Sequence, residues 1–135
     1  MTLIFCVDDR FGVMFNNRRQ SRDIAVLEDI KKCHKNQTIY VHPYSEKLFK
    51  DNDIPCSINN GYKSNDGVYF IENTCPPDLF DKADEIIIYH WGRLYPSDKQ
   101  LDFHFVNKGF ELSETTTFPG NSHKEIRKEI FIRRK

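Results

Sequence analysis

Leu3-Ile4-Phe5-Cys6-Val7 is apolar without interruption and stops abruptly at Asp8-Asp9. A run this short, with no polar alternation, fits a strand covered on both faces and so lying inside a sheet. Past a loop holding Gly12, Ser21-Arg22-Asp23 leads into Ile24, Leu27 and Ile30 at helical spacing, with Glu28 and Lys32 four apart on the polar side. The spacing predicts a helix of about three turns, opened by Ser21 or Asp23 and closed at Asn36-Gln37. Thr38-Ile39-Tyr40-Val41-His42 reads as a second strand, returned by the helical crossover to lie parallel to the first. The chain opens as a βαβ unit.

Pro43 bars the second strand from continuing, and Ser45 can cap a short helix through Phe49. Asn60-Gly61 and Asp66-Gly67 are turn dipeptides, and Val68-Tyr69-Phe70-Ile71, before Pro76-Pro77, is a strand. One helical turn is expected from Asp78 to Ala83. Glu85-Ile86-Ile87-Ile88-Tyr89-His90 is another buried strand by its branched residues. Leu101-Asp102-Phe103-His104-Phe105 alternates like a half-buried strand, and Phe110 to Thr117 is rich in strand formers. After the turn at Pro119-Gly120, Ile126 to Arg133 is expected to pair with the segment from Phe110 as a closing antiparallel hairpin. With no repeat, low-complexity tract or linker, residues 1–135 are expected to form a single α/β domain with a mixed central sheet.

Twenty Lys and Arg against twenty Asp and Glu leave a formal net charge of zero, so no global field draws the chain to nucleic acid or an anionic membrane. Any such binding must be local. No apolar run approaches the roughly 18–20 residues that span a bilayer, and Met1 to Arg10 meets two acids too early for a secretory signal. The expectation is a cytoplasmic protein with no membrane partner. Cys6, Cys33, Cys56 and Cys75 lie far apart without a CxxC pair, and His34, His42, His90, His104 and His123 form no HExxH pattern. Free thiols and no metal site are therefore expected. His90 and His104 would converge with Asp102 only if the fold brought two strands together.

A buried strand ending in acids, Phe11-Gly12-Val13, an acid at the start of a helix and a returning strand follow an order that resembles the amino half of dihydrofolate reductases. Arg22-Asp23-Ile24-Ala25-Val26-Leu27 is similar to the start of that family's substrate helix, and the resemblance implies that Asp23 stands where the family keeps its single carboxylate for the pterin ring. Ala83 to His90, Ser97-Asp98, Gly109-Phe110-Glu111-Leu112 and the last strand into Arg133-Arg134 are similar to the family's final strands. The likeness covers roughly two thirds of the chain and implies a shortened, reductase-like α/β fold.

The departures bear on function. The family's Leu-Pro-Trp after the glycine loop is replaced by Arg18-Arg19-Gln20. Its phosphate-gripping Gly-Arg-x-Thr becomes His42-Pro43-Tyr44-Ser45, in which only Ser45 is a tolerable match. The strand, Gly-Gly turn and helix that hold the nicotinamide cofactor's pyrophosphate are expected to be deleted, because the strand from Glu85 already aligns with the element after them. In the other register Glu85 to Tyr95 is that cofactor element, and His90-Trp91 fills the place of glycines that let backbone approach phosphate. Either register implies no cofactor and no hydride transfer.

A second resemblance spans the whole chain. Asp8-Asp9, Asn17 to Asp23, Trp91 to Asp98 and Phe118 to His123 are similar to landmarks of a small family of Gram-positive anaerobes whose members often carry the label "ribonuclease Z". Genuine ribonuclease Z has the metallo-β-lactamase fold and binds zinc through an HxHxDH motif, which is missing from this sequence.

Arg18, Arg19 and Arg22 crowd the amino end of the first helix, where unpaired N–H groups and the helix dipole favour an anion. Either a phosphate sits there, or the cations face solvent and pair with Asp8, Asp9 and Asp23. Asp23 can relay a proton or hold a polar ring, yet an acid in the first helical turn is also ordinary dipole compensation. Trp91, Arg93 and Tyr95, in a loop closed by Pro96, can stack a base or bind a phosphate, whereas a lone Trp also serves as a core plug. Ser122-His123 supplies a hydroxyl and an imidazole, but adjacent residues rarely point at one another and no orienting acid is evident. The basic residues from Lys124 to Lys135 make a local basic edge, which on a last strand discourages edge pairing.

The sequence thus reads as a protein binding a phosphate-bearing or nucleotide-like ligand between the carboxy ends of Leu3–Val7 and Thr38–His42, through Arg18, Arg19, Arg22, Ser45, Trp91 and Arg93. One rival is RNA cleavage without zinc, drawing on His123, Arg93 and the Arg cluster. Another is a non-catalytic partner-binding protein in which Trp91, Tyr95 and Phe118 form an exposed apolar anchor. Residual reductase activity is a third.

Overall fold

β1 (Thr2–Val7) runs through the middle of a seven-stranded sheet because both of its faces are covered. Leu3, Phe5 and Val7 enter one core and Ile4 the other, the alternation that a strand's period of two imposes. The computed structural model describes residues 1–134. After β1 come β2 (Gly12–Phe15), β3 (Arg18–Arg19), α1 (Ile24–Cys33), β4 (Ile39–Val41), α2 (Pro43–Lys50), β5 (Ser57–Ile58) and β6 (Val68–Ile71). Then follow α3 (Leu79–Lys82), β7 (Glu85–His90), β8 (Lys99–Gln100), α4 (Phe103–Gly109), β9 (Phe110–Pro119) and β10 (Glu125–Arg133).

The large sheet has the order β5-β4-β6-β1-β7-β10-β9. β1 pairs in parallel with β6 through Leu3 and Tyr69, and with β7 through Leu3 and Ile86. β4 and β1 are parallel, as expected, but β6 lies between them. β10 runs antiparallel to β7 and to β9, forming the expected closing hairpin. α1 and α2 bury Val26, Leu27, Ile30, Leu48 and Phe49 on one face of the sheet, and Leu79, Phe80 and Val106 of α3 and α4 cover the other. No helix among the described residues is long and apolar enough to cross a membrane.

Four expectations need correction. The strand expected over 101–105 is instead the approach to α4: the Asp102 carboxylate caps that helix by accepting from the His104 amide at 3.0 Å, and Val106 is its buried anchor. His104 is exposed there while His90 pairs with Glu129, so the two do not converge with Asp102. The segment around Gly12 is a strand of a second, three-stranded sheet in the order β3-β2-β8. Asn16 and Asn17, both at positive φ, make the tight turn between β2 and β3. Finally, the strand expected to be deleted before Glu85 is present as β6, followed by Glu72-Asn73 and the four-residue α3. A glycine pair is missing at that turn, and the helix is short. Ser45 does not cap α2, which starts at Pro43 with His42 as its N-cap, because proline's fixed φ suits the first helical position.

Candidate functional site

Asp23 caps α1 by accepting from the Ala25 amide at 2.8 Å. The turn before β10 folds over that carboxylate, so the amides of Asn121, Ser122 and His123 donate to it at 2.8, 2.8 and 3.0 Å, and His123 Nδ1 lies 2.9 Å from Oδ2. Both side chains are fully buried. Burial alone would raise the Asp23 pKa, but the amide of Asn121, the imidazole of His123 and the amides of Ala25 and Ser122 outweigh it and hold the carboxyl below its ordinary value. A carboxylate so filled has no oxygen to spare for a polar ring; it orients an imidazole instead.

Gly120 makes the turn's close approach feasible, since a Cβ there would lie 2.8 Å from Asp23 Oδ2 and strike the His123 carbonyl. Gly120→Ala is therefore expected to lower stability by about 1–3 kcal/mol through overpacking. Thermal melting checks this, and a variant melting with the wild type would show that the turn yields freely.

With Nδ1 held on Asp23, His123 turns Nε2 towards two hydroxyls, Tyr95 at 2.8 Å and Ser21 at 3.1 Å. Tyr95 Oη also lies 3.3 Å from Ser21 Oγ, and the buried Trp91 indole stacks on the imidazole at 4.6 Å between centroids. The orienting acid that the sequence did not reveal is thus Asp23, 100 positions before His123, and the neighbouring hydroxyl is Ser21 rather than Ser122.

A second carboxylate draws in two of the proposed phosphate grips. Glu72, at the end of β6, accepts from Arg19 Nε at 2.7 Å and Nη2 at 3.0 Å, and from Ser45 Oγ at 2.7 Å. This two-pronged hydrogen bond raises the Arg19 pKa. Arg19 also lies over the Tyr44 ring, 4.7 Å from its centroid. Arg18 and Arg22 are exposed, so the three arginines do not gather on one anion.

A cleft of about 800 Å³ opens at the carboxyl ends of β1 and β7. Arg93, Lys124 and Arg127 supply its cations, Asp9 and Glu125 its exposed acids, and Trp91 and His123 part of its lining. Asp8 also lines it, but its carboxylate already accepts from the amides of Arg10, Gly12 and Tyr95 and from Gln20 Nε2. Burial lowers the pKa of His90 in this cleft and Arg127 adds to the lowering, against the opposing pull of Glu129. The exposed apolar anchor expected from Trp91, Tyr95 and Phe118 does not form: Trp91 is 4% exposed and packed on His123, and the other two are half-buried.

Among solved structures, dihydrofolate reductase from Enterococcus faecalis, complexed with NADP(H) and RAB-propyl, superposes with a TM-score of 0.64 over 99% of this chain and 96% of that one. The fold is reductase-like. The likeness extends beyond the two thirds expected from the sequence, and at 11% identity it speaks to fold alone. No protein-family model and no curated protein matches the chain, so the ribonuclease Z likeness receives no support from these comparisons.

Of the residues singled out in the sequence, Trp91, Arg93 and His123 meet at the large cleft, while Arg19 and Ser45 meet at Glu72. Ser21, Glu72, Lys124 and Arg127 were not singled out as site residues. Glu72 carried a usable signal: like Asp8, it is an acid placed directly after an apolar strand.

Proposed function

We propose that this protein binds a small phosphate-bearing or nucleotide-like ligand in the cleft at the carboxyl ends of β1 and β7, and that it does not transfer hydride. The observation carrying this reading is the set of Arg93, Lys124 and Arg127 on one cleft of about 800 Å³, where cationic donors suit an anionic oxygen cluster. The cleft lies on the β7 side of β1; a second cavity of about 460 Å³ lies at the carboxyl ends of β4 and β6, but there Glu72 already engages Arg19 and Ser45. Absence of hydride chemistry is supported by the saturated Asp23 carboxylate and by Glu72-Asn73 at the turn after β6, where side chains keep a pyrophosphate off the backbone. RNA cleavage through His123 gains no support, since that imidazole is fully buried.

A thermal-shift panel of inorganic phosphate, nucleoside mono-, di- and triphosphates and NADPH tests the reading. At a hundred times its Kd a ligand should stabilise the fold by about 2.7 kcal/mol, a rise of several degrees. Arg93→Ala and Arg127→Ala should abolish the rise, whereas Arg18→Ala and Arg22→Ala should retain it. No rise with any phosphate compound would refute the proposal.

A further inference from the structure

His90 is the last residue of β7 and lines the cleft of about 800 Å³. Arg127 stands directly opposite it across the antiparallel β7–β10 pair, so both side chains leave the same sheet face, and Glu129, two residues on, shares that face. Glu129 Oε1 engages His90 Nε2 at 2.5 Å, and Phe11 packs against the imidazole edge to face, 6.0 Å between centroids. Burial lowers the His90 pKa and Arg127 lowers it further, while Glu129 and Asp9 pull the other way, so the ring is neutral at neutral pH. A neutral imidazole held on a carboxylate through Nε2 keeps its proton there, which leaves a lone pair on Nδ1. That nitrogen has no hydrogen-bond partner among the described residues and is not sealed from solvent. His123, by contrast, is fully buried with both ring nitrogens engaged. Arg93, Lys124 and Arg127 are exposed on the same cleft as His90.

We infer that His90 accepts a phosphoryl group on Nδ1 from small acyl phosphates and passes it to water. The inference rests on the cleft binding phosphate, since Arg93, Lys124 and Arg127 are the donors available to the phosphoryl oxygens. The Nδ1 lone pair forms an N–P bond as the P–O bond to the acyl oxygen breaks, and the carboxylate leaves with that electron pair. A carboxylate is stable as an anion, so the step needs no acid at the leaving oxygen. The ring becomes a cation, which Glu129 offsets at Nε2, and the cleft's cations offset the charge on the transferring group. Water then attacks phosphorus, the N–P bond returns its electrons to the imidazole, and the surplus proton goes to solvent. One acyl phosphate and one water become one carboxylate, one phosphate and one proton. Glu129 is a positioning residue: it fixes the tautomer that leaves Nδ1 free.

The full-length chain is incubated with acetyl phosphate, and phosphorylated peptides are mapped by mass spectrometry in alkaline buffer, where phosphohistidine persists. The expected result is an acid-labile adduct on His90, none on the exposed His104, and release of inorganic phosphate faster than without protein. His90→Gln should abolish both. Arg93→Ala, at an exposed position outside the core, should slow labelling by roughly a hundredfold through loss of one donor to the phosphoryl oxygens. Glu129→Gln keeps an acceptor on Nε2 but removes the charge that raises the His90 pKa, so the acid limb of the labelling rate should move to lower pH. A rise in melting temperature with inorganic phosphate beside an unlabelled His90 overturns this inference and leaves the binding reading standing. No rise and no label overturns both. Equal labelling of His104, unchanged labelling in Arg93→Ala, or an adduct on His90 without phosphate release also overturns the inference.

Discussion

Asp23→Ala should destabilise the protein by about 3–5 kcal/mol, read as a fall in the urea midpoint. The carboxylate receives four backbone amides and one imidazole in a region without solvent, and removing it leaves those donors unsatisfied. Against a typical total of roughly 5–15 kcal/mol, a loss of that size is a large share of the whole. Because the Asp23 pKa is lowered on folding, its contribution is fully present above the unfolded value of about 3.9 and is lost as pH falls through the folded one. Wild type should therefore lose stability below about pH 4 more steeply than Asp23→Ala does. A change smaller than about 1 kcal/mol would mean that the turn at 120–123 finds other acceptors.

Glu72→Ala comes next, with an expected loss of about 2–4 kcal/mol. Its carboxylate, 9% exposed, satisfies both prongs of the Arg19 guanidinium and the Ser45 hydroxyl. Truncation leaves a half-buried cation and a buried hydroxyl facing the space where an anion had been. Inorganic phosphate should enter that space and restore about 1.4 kcal/mol at ten times its Kd, in addition to any effect it has on the wild type. Urea titrations of both proteins with and without phosphate supply the comparison. Equal phosphate responses would show that Arg19 and Ser45 cannot accept an external anion.

The large sheet was legible in the sequence because its inner strands are continuous apolar runs: Leu3 to Val7, Val68 to Ile71 and Glu85 to His90 all lie where the pattern placed them. The 101–105 segment misled because an N-cap followed by aromatic residues spaced for packing imitates strand alternation over five positions. The insertion of β6 between β1 and β4 was hidden because periodicity specifies elements and says nothing of which strands pair. The polar networks were less legible still. Asp23 and His123 each stand out in the sequence, but the bond between them joins residues 100 positions apart, and only the fold brings those ends of the chain together. The cationic residues showed the same limit. Arg19 stood out by charge and is taken up by an acid from β6, whereas Arg127, on the last strand, reaches the cleft through its pairing opposite His90.

Glu72 and the 120–123 turn together give the molecule built-in occupants. Two recesses that would otherwise be left with naked charges at rest are filled by the chain's own carboxylate and peptide groups. The resting state is internally complete at these two points, where the chain supplies its own hydrogen-bond partners.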